Sequence, residues 1–350
     1  MGLPRRPLGT SGLEITTVGF GAWAAGGGNW AFGWGAQDDA DSVKAIVHAV
    51  ARGVNWIDTA SVYGLGHSEV VVGRAIKEIA SADRPLVFTK CGMHWDEKTP
   101  MGKPKRMSDP SSIPLECEAS LRRLGLETID LLQFHWPDET GIPPEDSWGA
   151  LVRLQEQGKV RAVGVCNYNL ALLERCEKVR HVDSLQPPFS PIRRDVAAAE
   201  IPWCKAHGTG LIGYSPMQSG LLTDRFSEER VAQLEATDWR RNSPEYQAPR
   251  LQRNLALRDA MKPIAAKYSV STGAVSIAWT LAWPGVTGAI VGARSPEQVD
   301  GWIGAAGLVL DVADLDAIAA AIERTGAGTG PVRLPRLEPS PQLAAKTRTL

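Results

Sequence analysis

Short apolar segments alternate with longer amphipathic segments along most of the chain. The apolar segments have the length of buried strands and cover residues 18–21, 56–57, 86–89, 129–134, 162–165, 184–186, 211–214 and 289–291. The amphipathic segments carry apolar residues at helical spacing and cover residues 40–51, 70–79, 113–124, 147–157, 170–179, 197–206 and 275–283. Eight strands alternating with helices predict an α/β fold, a closed parallel (β/α)8 TIM barrel.

Four stretches fall outside this alternation. Residues 4–17 contain a Gly-rich turn and predict a hairpin lid before the first strand. Residues 24–39 and 219–253 follow the first and seventh strands, where barrel loops face the active site, so we expect both to close over substrate or cofactor. The Gly- and Pro-rich residues 325–350 predict a flexible or surface-draped tail after a single barrel domain, residues 1–324.

Composition narrows the class of protein. The chain has 350 residues, 43% of them hydrophobic, and a formal net charge of −1, so it can bury a large core and has no excess charge to attract nucleic acid or a membrane surface. No apolar run is long enough to span a membrane, and the first residues lack a signal peptide. Five scattered cysteines argue against disulfides and a zinc site. We expect a metal-free, soluble, cytoplasmic protein; its oligomeric state stays open.

Polar side chains end three successive predicted strands. Asp58 ends the second strand, Tyr63 follows it by five positions, Lys90 ends the third strand and His135 follows the fourth. Because parallel barrel strands present their carboxyl ends at one face, we expect these four side chains to meet there.

This order of Asp, Tyr, Lys and His resembles the catalytic tetrad of the aldo-keto reductase family, most closely its bacterial members. The resemblance extends over residues 8–320. It implies a (β/α)8 barrel that uses NADPH to reduce small aldehydes or ketones to alcohols, with NADP+ as the oxidised cofactor.

The resemblance implies a separate role for each residue of the tetrad. Tyr63 would donate a proton to the carbonyl oxygen. A phenol titrates near pH ~10, so a nearby cation has to stabilise the phenolate. Lys90 would supply that charge, Asp58 would hold Lys90 in place, and His135 would hydrogen-bond the substrate oxygen.

The second half of the chain resembles the cofactor site of the same family. Asn167 and Gln186 match the residues that bind the nicotinamide carboxamide, with Cys166 where Ser is commoner, and residues 214–222 match the segment beneath the nicotinamide and pyrophosphate. The predicted cofactor-binding residues are Trp23, Asp58, Asn167, Gln186, Tyr214, Ser215, Pro216, Met217, Gly220, Leu222, Gly292, Arg294 and Gln298.

Cofactor choice is predicted from the start of the last matched helix. Arg294 matches the position that pairs with the adenosine 2′-phosphate, and no acidic residue lies between Gly292 and Pro296 to bind a ribose hydroxyl instead. NADPH is therefore favoured over NADH. Gln298 fits an adenine contact, and Trp302 stands where related chains often have Asn.

Tryptophans gather in the loops that follow the first strands. Trp23, Trp30, Trp34, Trp95 and Trp136 predict an aromatic-walled pocket for an apolar carbonyl substrate. Two alternatives stay open. One is a barrel lyase in which Lys90 forms a Schiff base. The other is a non-catalytic regulatory subunit that resembles the cofactor-binding potassium-channel beta subunits.

Overall fold

Eight parallel strands form a closed barrel in the computed structural model, which describes residues 2–235 and 238–335. The strands of the described chain are β1 (Arg5–Pro7), β2 (Glu14–Thr16), β3 (Val18–Gly21), β4 (Trp56–Asp58), β5 (Leu86–Cys91), β6 (Met93–His94), β7 (Lys105–Arg106), β8 (Ile129–Phe134), β9 (Val160–Cys166), β10 (Ser184–Gln186), β11 (Gly210–Tyr214) and β12 (Val286–Gly292). The barrel order is β3-β4-β5-β8-β9-β10-β11-β12, and β12 pairs with β3 to close it. The predicted (β/α)8 barrel is confirmed.

Helices connect the barrel strands on the outside. They are α1 (Asp39–Ala51), α2 (His67–Glu78), α3 (Ile113–Leu124), α4 (Pro144–Glu156), α5 (Leu170–Glu177), α6 (Glu200–His207), α7 (Glu228–Ala232), α8 (Arg250–Ala260), α9 (Lys262–Tyr268), α10 (Thr272–Ala282), α11 (Pro296–Ile303) and α12 (Val312–Thr325). The long segment after β11, predicted as a loop, contains the short helix α7 and leads into α8. Helices α8 and α9 were not predicted; α8 begins at the end of this segment, and α9 lies between α8 and α10.

The hairpin β1–β2 closes the amino-terminal end of the barrel. Its residues Leu8 and Ile15 are fully buried and pack inside the barrel with Trp56 and Phe88. The indole of Trp56 donates a hydrogen bond to the carbonyl of Thr16 at 2.8 Å, which ties the hairpin to β4. This end is filled by apolar side chains, so a pocket can open only at the other end.

A second hairpin, β6–β7, extends from the carboxyl end of β5. Met93 pairs with Arg106 and His94 with Lys105 in antiparallel register. The hairpin was not predicted, because each strand has only two residues. It matters for the site because it carries Arg106 to the mouth of the barrel.

The first part of the predicted tail lies against the barrel. Thr329 forms a bridge with Arg193, and the guanidinium of Arg194 donates hydrogen bonds to the carbonyls of Ala327 and Pro331, both at 3.1 Å. Residues 336–350 of that tail lie outside the described residues, and the division into residues 1–324 and 325–350 stays a prediction. Within the described ranges, no helix is both long and apolar enough to cross a membrane.

Candidate active site

The four residues predicted to meet do lie together at the carboxyl end of the barrel. Lys90 Nζ donates hydrogen bonds to Asp58 Oδ1 at 2.5 Å and to the carbonyl of Thr59 at 2.8 Å. The same Nζ lies 5.1 Å from the centroid of the Tyr63 ring, and that ring meets the His135 ring edge-on with centroids 5.4 Å apart. Lys90 and Asp58 are almost fully buried, so their ion pair is shielded from solvent.

The loop that carries Tyr63 is held in place by a close approach of two backbones. Gly64 has a φ of 59°, and a Cβ at this position would lie 2.2 Å from the carbonyl oxygen of Gly26. Only glycine therefore allows the loop to pack on the turn of Trp23–Gly26. This contact sets the Trp23 indole parallel to the Tyr63 ring, with centroids 5.9 Å apart.

Burial dominates the acidity of Tyr63. It raises the pKa of the phenol above its ordinary value of 10.0, and the nearby ammonium of Lys90 offsets only part of that rise. The expected lowering by Lys90 is thus present but outweighed. For Lys90 burial lowers the pKa, yet the charge of Asp58 and the nearby Tyr63 outweigh burial and raise it above 10.5. Lys90 is therefore a fixed cation, and Tyr63 keeps its proton at neutral pH.

His135 is a neutral imidazole at this site. Burial, together with the positive charges of Lys90 and Arg106, lowers the pKa of His135 well below 6.5. Its Nδ1 atom is buried and contacts no hydrogen-bond partner among the described residues. A neutral ring can donate one hydrogen bond to a carbonyl oxygen without adding a competing acid.

The predicted carboxamide partners form a network behind the tetrad. Gln186 Nε2 donates to Asp58 Oδ2 at 2.8 Å. Asn167 Nδ2 donates to the carbonyl of His135 at 3.0 Å, and the hydroxyl of Tyr214 donates to Asn167 Oδ1 at 2.9 Å. Gln186 thus positions the carboxylate of Asp58, a role that the sequence did not indicate.

A cavity of about 1100 Å³ opens above the tetrad. The predicted site residues that line it are Trp23, Trp30, Trp34, Asp58, Tyr63, His135, Trp136, Asn167, Gln186, Tyr214, Ser215, Pro216, Met217, Gly220, Gly292, Arg294 and Gln298. Lys90 is not among the lining residues, because it lies below the cavity floor, where its Nζ bonds to Asp58.

Besides Lys90, two residues of the predicted site do not line this cavity. Trp95 packs instead against the buried cluster of Trp30, Val62 and Met93. Leu222 is fully buried in the main hydrophobic core. Both side chains pack against apolar neighbours, because burial of apolar surface is more favourable than its exposure to water.

The cavity fits a nicotinamide dinucleotide. Ordinary ligand pockets have ~300–1000 Å³, so this cavity has room for a cofactor and a substrate together. The segment beneath it bends sharply, since Ser215, Gln218 and Ser219 all have positive φ. It is anchored from below by Tyr246, whose hydroxyl donates to the carbonyl of Gln218 at 2.8 Å. Such a fixed turn can present backbone N–H groups to a pyrophosphate.

The two long loops meet over the site through residues that the sequence analysis missed. Trp239 stacks on Trp23 with centroids 5.6 Å apart and planes 16° apart. The guanidinium of Arg240 lies 4.7 Å from the centroid of the Trp34 ring and bonds to Asp238. The sequence feature that could have indicated these contacts is the pair Trp239-Arg240 inside the long loop after the seventh barrel strand.

Arg294 lines the cavity and also holds the first loop. Its guanidinium donates to Gln37 Oε1 at 2.5 Å, to the carbonyl of Trp34 at 3.4 Å and to that of Ala36. Its backbone N–H donates to Gln298 Oε1 at 2.9 Å. Arg294 therefore places a positive charge at the cavity wall and also holds residues 34–37 in place by hydrogen bonds.

Comparisons with known proteins agree with this geometry. The Aldo/keto reductase family model matches residues 17–323. The aldo-keto reductase YhdN of Bacillus subtilis (strain 168) is 32% identical over 316 residues, which cover 90% of this chain and 92% of that protein. The NADH-specific methylglyoxal reductase of Escherichia coli (strain K12) is 31% identical over 336 residues, covering 91% of this chain and 99% of the relative.

Among solved structures, the glycerol dehydrogenase AKR11B4 from Gluconobacter oxydans is similar over nearly its whole length. It matches with a TM-score of 0.82 and 34% sequence identity, covering 96% of this chain and 98% of that one. The matches in sequence and in structure both extend over the barrel and over the residues around its mouth. The chain belongs to the aldo/keto reductase family.

Proposed function

We propose that this protein reduces aldehydes or ketones to alcohols with a nicotinamide cofactor, preferring NADPH. The observation that carries the proposal is the position of Lys90 Nζ, 2.5 Å from Asp58 Oδ1 and 5.1 Å from the centroid of the Tyr63 ring, just below the cavity floor. A buried cation next to a buried phenol is the arrangement that a tyrosine needs to release a proton and leave a stabilised tyrosinate.

The chemistry divides between the cofactor and the chain. The nicotinamide, when bound, supplies the hydride to the carbonyl carbon. Tyr63 donates its phenolic proton to the carbonyl oxygen, so the alcohol gains one hydride and one proton. The ammonium of Lys90 stabilises the tyrosinate that remains, and Asp58 keeps that ammonium charged and in place.

His135 and the aromatic loops prepare the site for this proton transfer. The neutral His135 ring, edge-on to Tyr63, donates a hydrogen bond that orients the carbonyl oxygen. Trp23 stacks between Tyr63 and Trp239 and covers the tetrad. This cover excludes water, which strengthens the electrostatic effect of Lys90.

The preference for NADPH rests on charge at the far end of the cavity. Arg294 and Arg240 both line it, and burial together with the nearby charge of Arg240 lowers the pKa of Arg294. Two guanidinium groups suit a 2′-phosphate. One relative at 31% identity is named as NADH-specific, so a direct comparison of the two nucleotides is the appropriate test.

Two observations weigh against the lyase alternative. A Schiff-base lysine needs a neutral amine that reaches the substrate. Lys90 is instead a buried ammonium whose pKa is raised, and it lies below the cavity. Sodium borohydride with substrate would label Lys90 in a lyase; we expect no labelling.

The test of the proposed function is NADPH consumption with a varied set of carbonyl compounds. The set includes methylglyoxal and glyceraldehyde, related to the named substrates of two similar proteins. Substrate-dependent oxidation of NADPH, with one alcohol formed per NADPH, supports the proposal. A protein that binds NADPH but reduces none of these compounds would be a regulatory subunit.

A further inference from the structure

We propose that the preferred substrates carry an oxyanion, a carboxylate or a phosphate, which Arg106 binds with help from Lys103 at the rim of the cavity. This inference rests on the proposed function and narrows its substrate class. It concerns residues of the hairpin β6–β7 and of the loop before β7, which the sequence analysis did not assign to any site.

Arg106 is fixed in position beside the reaction centre. Its guanidinium carbon lies 3.9 Å from the centroid of the Trp136 ring, and Trp136 directly follows His135 in the chain. Both Arg106 and Trp136 line the cavity. Stacking on an indole holds a guanidinium flat and limits its motion, so less entropy is lost when the guanidinium binds a ligand.

The guanidinium of Arg106 still has donors to offer. Its Nη1 atom donates to Glu139 Oε1 at 2.5 Å, and in the described part of the chain no other acceptor bonds to this side chain. The Glu139 side chain is 54% exposed, so this ion pair contributes little and is easily rearranged. A carboxylate or phosphate could then accept two parallel N–H hydrogen bonds, the geometry that arginine favours.

Two cations lie at the substrate end of the cavity. Lys103 and Arg106 line this end; the acidic residues that line the cavity are Asp58, Asp224 and Glu297, and Glu297 lies on α11. Asp58 is paired with Lys90, and Asp224 accepts a hydrogen bond from the backbone of Thr272 at the start of α10. Two cations beside an aromatic wall, of which Arg106 is paired only with the half-exposed Glu139, would attract a short carbonyl compound with an anionic end.

The positive charge of Arg106 also reaches the place where the carbonyl would lie. It is one of the cations that lower the pKa of His135. Because Arg106 stacks on Trp136, the residue after His135, an anionic group bound to Arg106 would lie on the same side of the cavity as the reacting carbonyl. Three oxo acids of increasing length, glyoxylate, 4-oxobutanoate and 5-oxopentanoate, would measure the spacing between the bound anionic group and the reacting carbonyl.

The experiment compares kcat/KM for 4-oxobutanoate with that for butanal, which has the same chain length without the charge. The ratio is measured for the wild type, for Arg106→Gln and for Arg106→Lys. Lys105→Gln is the matched control, since Lys105 precedes Arg106 on β7 but is exposed and does not line the cavity. A second pair, glyceraldehyde 3-phosphate and glyceraldehyde, distinguishes phosphate from carboxylate.

We expect the wild type to prefer the charged member of at least one pair. Loss of a charge-assisted hydrogen bond should lower the ratio roughly ten- to a hundredfold in Arg106→Gln. The ratio for Arg106→Lys should lie between those of the wild type and Arg106→Gln, and Lys105→Gln should keep the wild-type ratio. Losses from misfolding affect both members of a pair and cancel in the ratio.

Three results would overturn the inference. A wild type that reduces neutral and charged carbonyls equally well would refute it and leave the proposed function standing, as would a ratio unchanged in Arg106→Gln. A wild type that reduces no carbonyl compound at all would remove both the inference and the proposed function.

Discussion

Gln186 Nε2 donates a hydrogen bond to Asp58 Oδ2 at 2.8 Å, across the interior of the barrel mouth. Both side chains are buried. The bond satisfies one carboxylate oxygen and turns the other, Oδ1, toward Lys90. Gln186 is therefore a positioning residue for the ion pair, and its position at the end of β10 allows this contact.

Gln186→Leu should weaken both the fold and the site. The buried oxygen of Asp58 would lose its partner, which costs ~1–3 kcal/mol. We expect the free energy of unfolding, measured by urea denaturation, to fall by about that amount, and kcat to fall with it. Gln155→Leu is a control, because Gln155 donates to the carbonyl of Arg161 far from the site. A Gln186→Leu protein as stable and as active as the wild type would contradict the positioning role.

The barrel and the tetrad could be predicted because both follow from the ends of strands. Asp58, Lys90 and His135 each lie where an apolar run stops, and parallel strands in a barrel bring such ends to one face. Tyr63 could be placed because it lies in the loop directly after Asp58. The sequence immediately around each of these four residues was therefore sufficient to predict its position at the site.

The remaining parts of the site depend on contacts between distant loops. Trp239 reaches Trp23 from a segment that has no regular periodicity, so nothing in its sequence indicated its partner. Arg294 bonds to Gln37, which lies 257 positions away. Trp95 was predicted to line the pocket, but it is partly buried against Met93 and Val62 and does not line the cavity.

The pH dependence of reduction follows from the directions of two pKa shifts. Burial raises the pKa of Tyr63 above 10.0, so the phenol keeps its proton in alkaline solution. Burial lowers the pKa of His135 well below 6.5, so the imidazole stays neutral in mildly acidic solution. Initial-rate kcat/KM for the reduction should therefore change little from roughly pH 6.5 to pH 9. A limb near pH 6.5 that vanishes in His135→Asn would show that His135 titrates normally.

Arg294→Ala should weaken the binding of NADPH more than that of NADH. A charge-assisted hydrogen bond contributes ~1.5–3 kcal/mol, so the Kd for NADPH should rise roughly ten- to a hundredfold. The Kd for NADH should rise less, through loss of the contacts that Arg294 makes with residues 34–37. Fluorescence titration with both nucleotides measures the difference.

Gln37→Ala separates the two roles of Arg294. This change removes the bond between Gln37 and the guanidinium and leaves the cation in place. We expect NADPH and NADH to be affected equally in that variant. Equal losses for the two nucleotides in Arg294→Ala would instead assign Arg294 to the loop alone and remove the basis for a preference for NADPH.

The most direct test of the central claim is the turnover of Tyr63→Phe. Phenylalanine preserves the ring that stacks on Trp23 and lies beside His135, and it removes only the hydroxyl that we propose as the proton donor. General acid catalysis typically contributes 10²–10⁴-fold, so kcat for carbonyl reduction should fall by roughly that factor while the Kd for NADPH stays close to the wild-type value. A variant that binds NADPH normally and reduces carbonyls at nearly the wild-type rate would contradict the assignment of Tyr63 as the proton donor.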